Sequence, residues 1–199
     1  MSQEDFAKHV HLSGLLSADE MVSVYGRLTR IELPCVKWKK RKQKGFERIA
    51  RFLSSNVKDP VSWWQYFGNP DCLSFSVNRK SLFHGVRLFG DKKGSQYDVV
   101  LQLDGSELAN GSFTSKIDKD GVAGFDVRLS SPVTVEKSST VTISATISGS
   151  ISCYGENGMA KVENGELNVS FYNASAKSTN GTGPLTGQFY EIFISHEES

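Results

Sequence analysis

The sequence predicts a mainly β protein, an antiparallel β-sandwich preceded by a short α-helical hairpin. Three observations predict it. Apolar and polar residues alternate with period two from about residue 46 onward. Asn-Gly and Asp-Gly pairs punctuate the alternating runs. Helical spacing is confined to the first thirty residues.

The helical part comes first. Ser2 is placed to cap a short helix running to about His11, with Glu4 and Asp5 favourable in its first turn. Ser13-Gly14 breaks that helix, and Ser17-Ala18-Asp19-Glu20 is a capping box for a second. Met21, Val24, Tyr25 and Leu28 then fall on one apolar stripe. Residues 31–45 lose all periodicity around Pro34 and read as a linker.

The strands follow. Leu73, Phe75 and Val77 share a face, as do Tyr97, Val99, Leu101 and Leu103. Phe125, Val127 and Leu129 alternate with Asp126 and Arg128, and Val141, Ile143, Ala145 and Ile147 with Thr142, Ser144 and Thr146. Leu167, Val169 and Phe171 make a fifth run. One polar face per strand means antiparallel sheets with a wet side. Turns are expected at Asp104-Gly105, Asn110-Gly111, Asp120-Gly121, Asn157-Gly158, Asn164-Gly165 and Asn180-Gly181. The tight cluster Trp63, Trp64, Tyr66 and Phe67 reads as a core plug sealing one end of the sandwich, with an aromatic recognition pocket as the alternative.

Charge divides the chain in the same place. The net charge of +1 conceals eight basic residues against one acidic in 37–51, and a mildly acidic remainder on either side. A uniformly basic nucleic-acid-binding domain is excluded, and no specific nucleic-acid partner is expected. The basic run Lys37, Lys39, Lys40, Arg41, Lys42 and Lys44 reads first as a solvated linker, with a nuclear-localisation or anionic-surface role as the alternative. No apolar run approaches the ~18–20 residues of a membrane helix, so no membrane span is expected. The N-terminus lacks an apolar signal region, and Cys35, Cys72 and Cys153 read as reduced thiols, which together suggest an intracellular chain.

The search for chemistry returns little. His9, His11, His84 and His196 form no HExxH, and the cysteines have no CxxC spacing. Gly90-Asp91-Lys92-Lys93-Gly94-Ser95 has the wrong spacing for a phosphate loop. No nucleophile elbow is present. Neither enzymatic activity nor a cofactor is expected.

A resemblance gives the β region an identity. Arg51-Phe52, Trp64-Gln65-Tyr66-Phe67-Gly68, Asp71, Leu73-Ser74-Phe75-Ser76-Val77-Asn78-Arg79 and Gly85-Val86-Arg87-Leu88-Phe89-Gly90 resemble, in order and spacing, the PHR domain of the Pam/Highwire ubiquitin ligases and of certain BTB-domain proteins. Tyr97-Asp98-Val99, Tyr154-Gly155, Gly158, Lys161-Val162, Asn180-Gly181-Thr182, Gly187-Gln188 and Glu191-Ile192 continue the match to about residue 195. Arg87 departs from it, standing where the family usually has the second glycine of G-x-G-L. Glu4-Asp5-Phe6-Ala7, Ser13-Gly14-Leu15-Leu16 and Glu20-Met21-Val22 resemble the end of the BACK region in BTB–BACK–PHR proteins.

Periodicity, charge and the resemblance together divide the chain into a BACK-like hairpin over 1–30, a basic linker over 31–45, a jelly-roll-like PHR sandwich over 46–195 and a tail over 196–199. The resemblance adds a function. It implies a non-catalytic module that presents loops to a substrate protein, in a subfamily whose BTB part engages a cullin-3 ligase scaffold. No BTB domain is in the sequence, so cullin-3 is expected as a partner only if that domain is supplied elsewhere. A cytoplasmic location is expected, with a nuclear one as the alternative through the basic run. The candidate contacts on the sandwich loops are Asn69, Asp71, Arg79, Lys80, Lys92, Lys93, Tyr154, Glu156 and Asn157. Asp71 and Arg79 are equally open to a structural ion pair. A glycan-binding or other small-molecule-binding jelly roll, stacking its ligand on Trp63 or Trp64, is the competing reading.

Overall fold

Two antiparallel sheets account for the architecture in the computed structural model, which describes residues 21, 22, 24, 45–60, 66–174 and 178–196, with residue 67 as backbone only. The described residues form thirteen strands: β1 (Glu47–Ala50), β2 (Val57–Lys58), β3 (Phe67–Val77), β4 (Ser81–Phe89), β5 (Gln96–Leu103), β6 (Ser106–Thr114), β7 (Lys116–Ile117), β8 (Ala123–Val135), β9 (Thr140–Gly149), β10 (Tyr154–Gly155), β11 (Lys161–Asn164), β12 (Leu167–Asn173) and β13 (Phe189–His196). One sheet runs β1-β13-β4-β8-β7, the other β11-β12-β3-β9-β5-β6, and β2 pairs with β10 apart from both. Among the described residues a single 3₁₀ turn, Ser54–Asn56, interrupts the β structure.

The alternating runs become the inner faces. Leu73, Phe75, Tyr97, Leu101, Ile143, Ile147, Leu167 and Val169 of the six-stranded sheet are buried against Phe83, Val86, Leu88, Val127, Ile192 and Ile194 of the five-stranded one. Phe75 meets Phe83 between the layers at 5.8 Å, and Tyr97 stacks on Phe125 at 5.0 Å. Tyr66 lies edge-on to Tyr97 at 6.1 Å, as expected of a plug residue. A second apolar cluster of Phe52, Phe89, Val122, Ala123, Cys153 and Tyr190 packs separately. Cys72 and Cys153 are buried, and the Cys72 thiol donates to Ser144 Oγ at 3.3 Å.

Turn chemistry follows the sequence with one exception. Asp104 and Gly105 both take positive φ between β5 and β6, and Gly165 does so between β11 and β12. Asn110-Gly111, expected to turn, instead lies inside β6, where Asn110 pairs with Val100 and Gly111 with Val99. The alternation of Tyr97, Val99 and Leu101 extends a long β5, and its partner strand has to continue past Asn110 to cover it. Gly85 carries φ +133, and a Cβ there would sit 2.1 Å from the Val127 carbonyl oxygen, so glycine is required. Arg87 needs no such freedom, since it is absent from the positive-φ residues. Its guanidinium instead pairs with Asp126 at 3.0 Å and Asp118 at 3.4 Å and donates to the Lys116 and Val122 carbonyls.

Antiparallel register sorts the connections onto two ends. The β3–β4, β5–β6, β8–β9 and β11–β12 turns lie at one end, called here the turn end. Residues 51–60, 90–95, 118–122, 150–160, 174 and 178–188 lie at the other, the loop end. Gly45–Ser199 forms one compact unit. The helical hairpin expected over 1–30 lies outside the described residues, apart from Met21, Val22 and Val24, whose backbone is helical. The basic run Lys37–Lys44, Cys35, Trp63 and Trp64 lie outside them too.

Candidate functional site

The loop end is assembled on buried polar side chains. Arg51 leaves β1 and turns inward until it is fully buried. Its Nη2 donates to the carbonyls of Gly183 (2.8 Å) and Thr186 (3.1 Å), and its guanidinium lies over Phe52 (4.5 Å) and Phe171 (5.6 Å). Burial pulls its pKa down to about 9. Nε and Nη1 have no hydrogen-bond partner, so the aromatic faces supply much of the stabilisation of this cation.

Asp71 holds the same segment from β3. It accepts from the Thr182 hydroxyl at 2.5 Å and from the Asn180 amide at 3.1 Å. Thr182 Oγ1 in turn accepts from the Gln188 backbone N–H at 3.1 Å. Burial pushes the Asp71 carboxyl up to about 7, against the opposing hydrogen bonds of Thr182 and Asn180. Gly187 carries φ +125 and lies so close to Thr182 that a Cβ would meet its hydroxyl at 2.2 Å. Residues 180–187 are thus fastened at two points, by a buried guanidinium and a buried carboxyl group.

A third fastening holds residues 150–158. Tyr66 and Ser152 share a hydrogen bond of 2.5 Å, and Gln188 Nε2 donates to Ser152 Oγ (3.0 Å) and the Cys153 carbonyl (3.2 Å). Backbone bonds join the Glu156 N–H to Asn56, the Gly155 N–H to Gly187 and the Gly158 N–H to Leu185. Phe52 lies beneath Gly155 and Gly158, where a Cβ would meet its ring at 2.6 and 2.7 Å.

The residues that carried the family resemblance are therefore framework here. Arg51, Phe52, Asp71, Gly155, Gly158, Thr182, Gly187 and Gln188 face inward and hold loops whose outer residues differ in kind. Leu53 (60 % exposed), Ile151 (42 %) and Leu185 (56 %) stand out from those loops into solvent. Leu185 lines an open pocket of about 400 Å³ with Asn173, Ser178, Thr182, Pro184 and Thr186. The sequence reading passed over these three. The available signal was a lone apolar residue inside a turn-forming string, as in Gly183-Pro184-Leu185-Thr186-Gly187.

The expected contact residues divide between the two ends. Asn69, Lys92, Lys93 and Asn157 are exposed at the loop end, with Lys92 pairing Asp59 at 2.6 Å. Tyr154 is buried and donates to Glu156 at 3.1 Å. Asp71 is internal, as described. Arg79 and Lys80 lie at the turn end, roughly 27 Å of strand away, and pair with Glu166 (2.7 Å) and Glu136 (3.0 Å). Of the two roles open to Asp71 and Arg79, a mutual ion pair is not formed. Among the described residues no group of three or more His, Cys, Asp or Glu is placed to hold a metal ion, and no helix is long and apolar enough to cross a membrane.

Comparison with known proteins agrees with this framework. The chain is 32 % identical over 199 residues to mouse and human BTB/POZ domain-containing protein 6, covering 98 % of this chain and 36 % of each relative. It is 30 % identical over 199 residues to human BTB/POZ domain-containing protein 3, with 98 % and 38 % covered. It therefore spans between a third and two fifths of the length of these curated relatives. Residues 50–195 match the PHR domain model. With the matched residues forming the sandwich and the framework of its loop end, this chain belongs to the PHR domain family.

Proposed function

We propose that the chain is a non-catalytic protein-binding module that captures its partner at the loop end. One observation carries the reading. Three buried fastenings, centred on Arg51, Asp71 and Gln188, fix a set of loops that put Leu53, Ile151 and Leu185 into solvent. Preset loops with exposed apolar side chains lose little entropy on binding and gain apolar burial. Asn69, Lys92, Lys93, Glu156 and Asn157 form the polar surround of that surface, where side chains set specificity more than affinity.

In the BTB–BACK–PHR arrangement that the sequence resembles, a BTB part supplied elsewhere engages a cullin-3 scaffold, and this module presents the substrate to the ligase. The names of the relatives support a BTB context. The cytoplasm is the compartment this role implies.

The test is affinity capture from cell extract with mass spectrometry, using the full chain and its Leu53→Asp/Leu185→Asp variant. Proteins captured by the parent and lost with the variant, at an unchanged melting temperature, are the expected result. An unchanged set of captured proteins would remove the loop end from the account.

A further inference from the structure

The two sheets present four edge strands, and three of them are guarded. β7 is two residues long and carries Lys116, and the stretch of β8 that it leaves uncovered carries Arg128 and Pro132. β1 is four residues long and carries Glu47 and Arg48, the latter fixed by Asp126 and Glu191. β11 is also four residues long, with Lys161 and Glu163 in an ion pair at 2.6 Å. Short length and charge are the usual means by which native sheets prevent another chain from pairing with an edge.

β6 has neither protection. It is nine residues long, contains no proline, lysine or arginine, and bears a single charge at Glu107. The register shift near Gln102 leaves Ala109–Thr114 in unbroken pairing with Gln96–Leu101. Among the described residues, no backbone hydrogen bond joins Ser106–Thr114 to anything but β5. In an antiparallel edge strand, alternate residues direct their N–H and C=O groups away from the sheet.

The surroundings of this edge specify what would pair with it. The hairpin from Gln96 to Thr114 holds Asp98, Asp104 and Glu107 and no basic residue. Asp98 leans across to accept a hydrogen bond from the Ser112 hydroxyl, which brings its carboxylate onto β6. Asp98, Asn110, Ser112 and Glu107 lie on the outward side of the pleat, opposite the face of buried Val99 and Leu101. On the inward side Ala109, Gly111 and Phe113 are only partly buried; Phe113 stacks on Phe125 at 5.9 Å and shares a pocket with Arg87, Lys116, Asp126 and Arg128. An added strand therefore meets carboxylates with its outer side chains, and with its inner ones the apolar ground of Leu108, Ala109 and Phe113, bordered at the Phe113 end by the charged pocket.

We propose that β6 is a second docking surface, which pairs with an extended partner segment alternating basic and apolar side chains. The backbone groups of β6 supply the ladder hydrogen bonds, the carboxylates of Asp98 and Glu107 select lysine or arginine, and Phe113 receives an apolar side chain. This surface is separate from the loop end and does not depend on what binds there.

The test uses the full chain and a synthetic peptide of alternating lysine and valine, about nine residues long to match β6. Fluorescence polarisation gives the affinity, and backbone amide exchange locates the bound peptide. Expected results are slowed exchange confined to β6 and β5 and binding about tenfold weaker with Glu107→Lys/Asn110→Lys. Binding should be lost with the same peptide N-methylated along one edge. Both substitutions are at exposed positions, and an unchanged melting temperature keeps the variant interpretable. Equal binding by a glutamate–valine peptide, equal binding by the N-methylated peptide, or protection elsewhere would overturn the proposal. So would outward amides of β6 that are already slow to exchange without peptide. A concentration-dependent dimer abolished by Glu107→Lys/Asn110→Lys would also overturn it, by showing that the occupant is a second copy.

Discussion

The two ends of the sandwich solve the same connection problem in different ways. At the turn end the links are short and tie to one another at the surface. The Asn78 side chain donates to the Glu166 carbonyl and accepts from the Asn168 N–H, Ser138 N–H donates to the Val77 carbonyl, and Thr142 N–H donates to Asp104. At the loop end the links are long, and the buried groups Arg51, Asp71 and Gln188 hold them from within. The difference teaches where variation is tolerated. Fastening from inside leaves the outer side chains of the loops free of structural duty, so they can be chosen for a partner.

Perturbing each fastening tests that difference. The largest effect is expected from Phe52→Ala, which removes a fully buried ring from under Gly155 and Gly158. A loss of about 3–5 kcal/mol should appear in urea denaturation. Thr182→Val keeps the shape but leaves the Asp71 carboxyl and the Gln188 N–H without their shared hydroxyl, and should cost about 1–3 kcal/mol. Both changes should loosen amide exchange in 180–188 before they affect the turn end.

The pH dependence of stability gives a third test. Burial raises the Asp71 carboxyl to about 7 in the folded state, above its unfolded value of about 4. Between these values the folded state holds a proton that the unfolded state has released, so the stability from this group is full below about pH 4 and is lost as pH rises toward 7. Asp71→Asn should remove that fall, read as the difference between wild-type and variant denaturation midpoints across this range. A slope unchanged by Asp71→Asn would mean that the carboxyl ionises normally.

Arg79→Glu should do least. It breaks a pair whose Glu166 partner is largely exposed, and its stability cost should stay within about 1 kcal/mol. Partner capture by this variant should equal wild type, because Arg79 sits at the turn end. Reduced capture would move the binding surface, or extend it to both ends.

The strands were legible because burial imposes period two, and Leu73, Phe75, Tyr97, Val99, Ile143 and Val169 all fall on the inner faces they were expected to form. Asn110-Gly111 misled because a pair that favours a turn was outweighed by the pairing of its neighbours with β5. The site was less legible. Motif order located Arg51, Asp71 and Thr182, yet nothing in a linear pattern distinguishes a carboxylate that grips a loop from one that faces a partner. Contacts between residues 109 to 132 positions apart decide it, and the fold alone creates them. Leu53 and Leu185 escaped notice for the related reason that exposure depends on what packs over a loop.

The most direct test of the central claim is backbone amide exchange of the full chain with and without a protein it captures from extract. Slowed exchange around Leu53, through 150–158 and through 180–187, with 78–80, 136–139 and 164–166 unchanged, is the predicted result. Protection centred on the turn end, with the loop end unchanged, would contradict it.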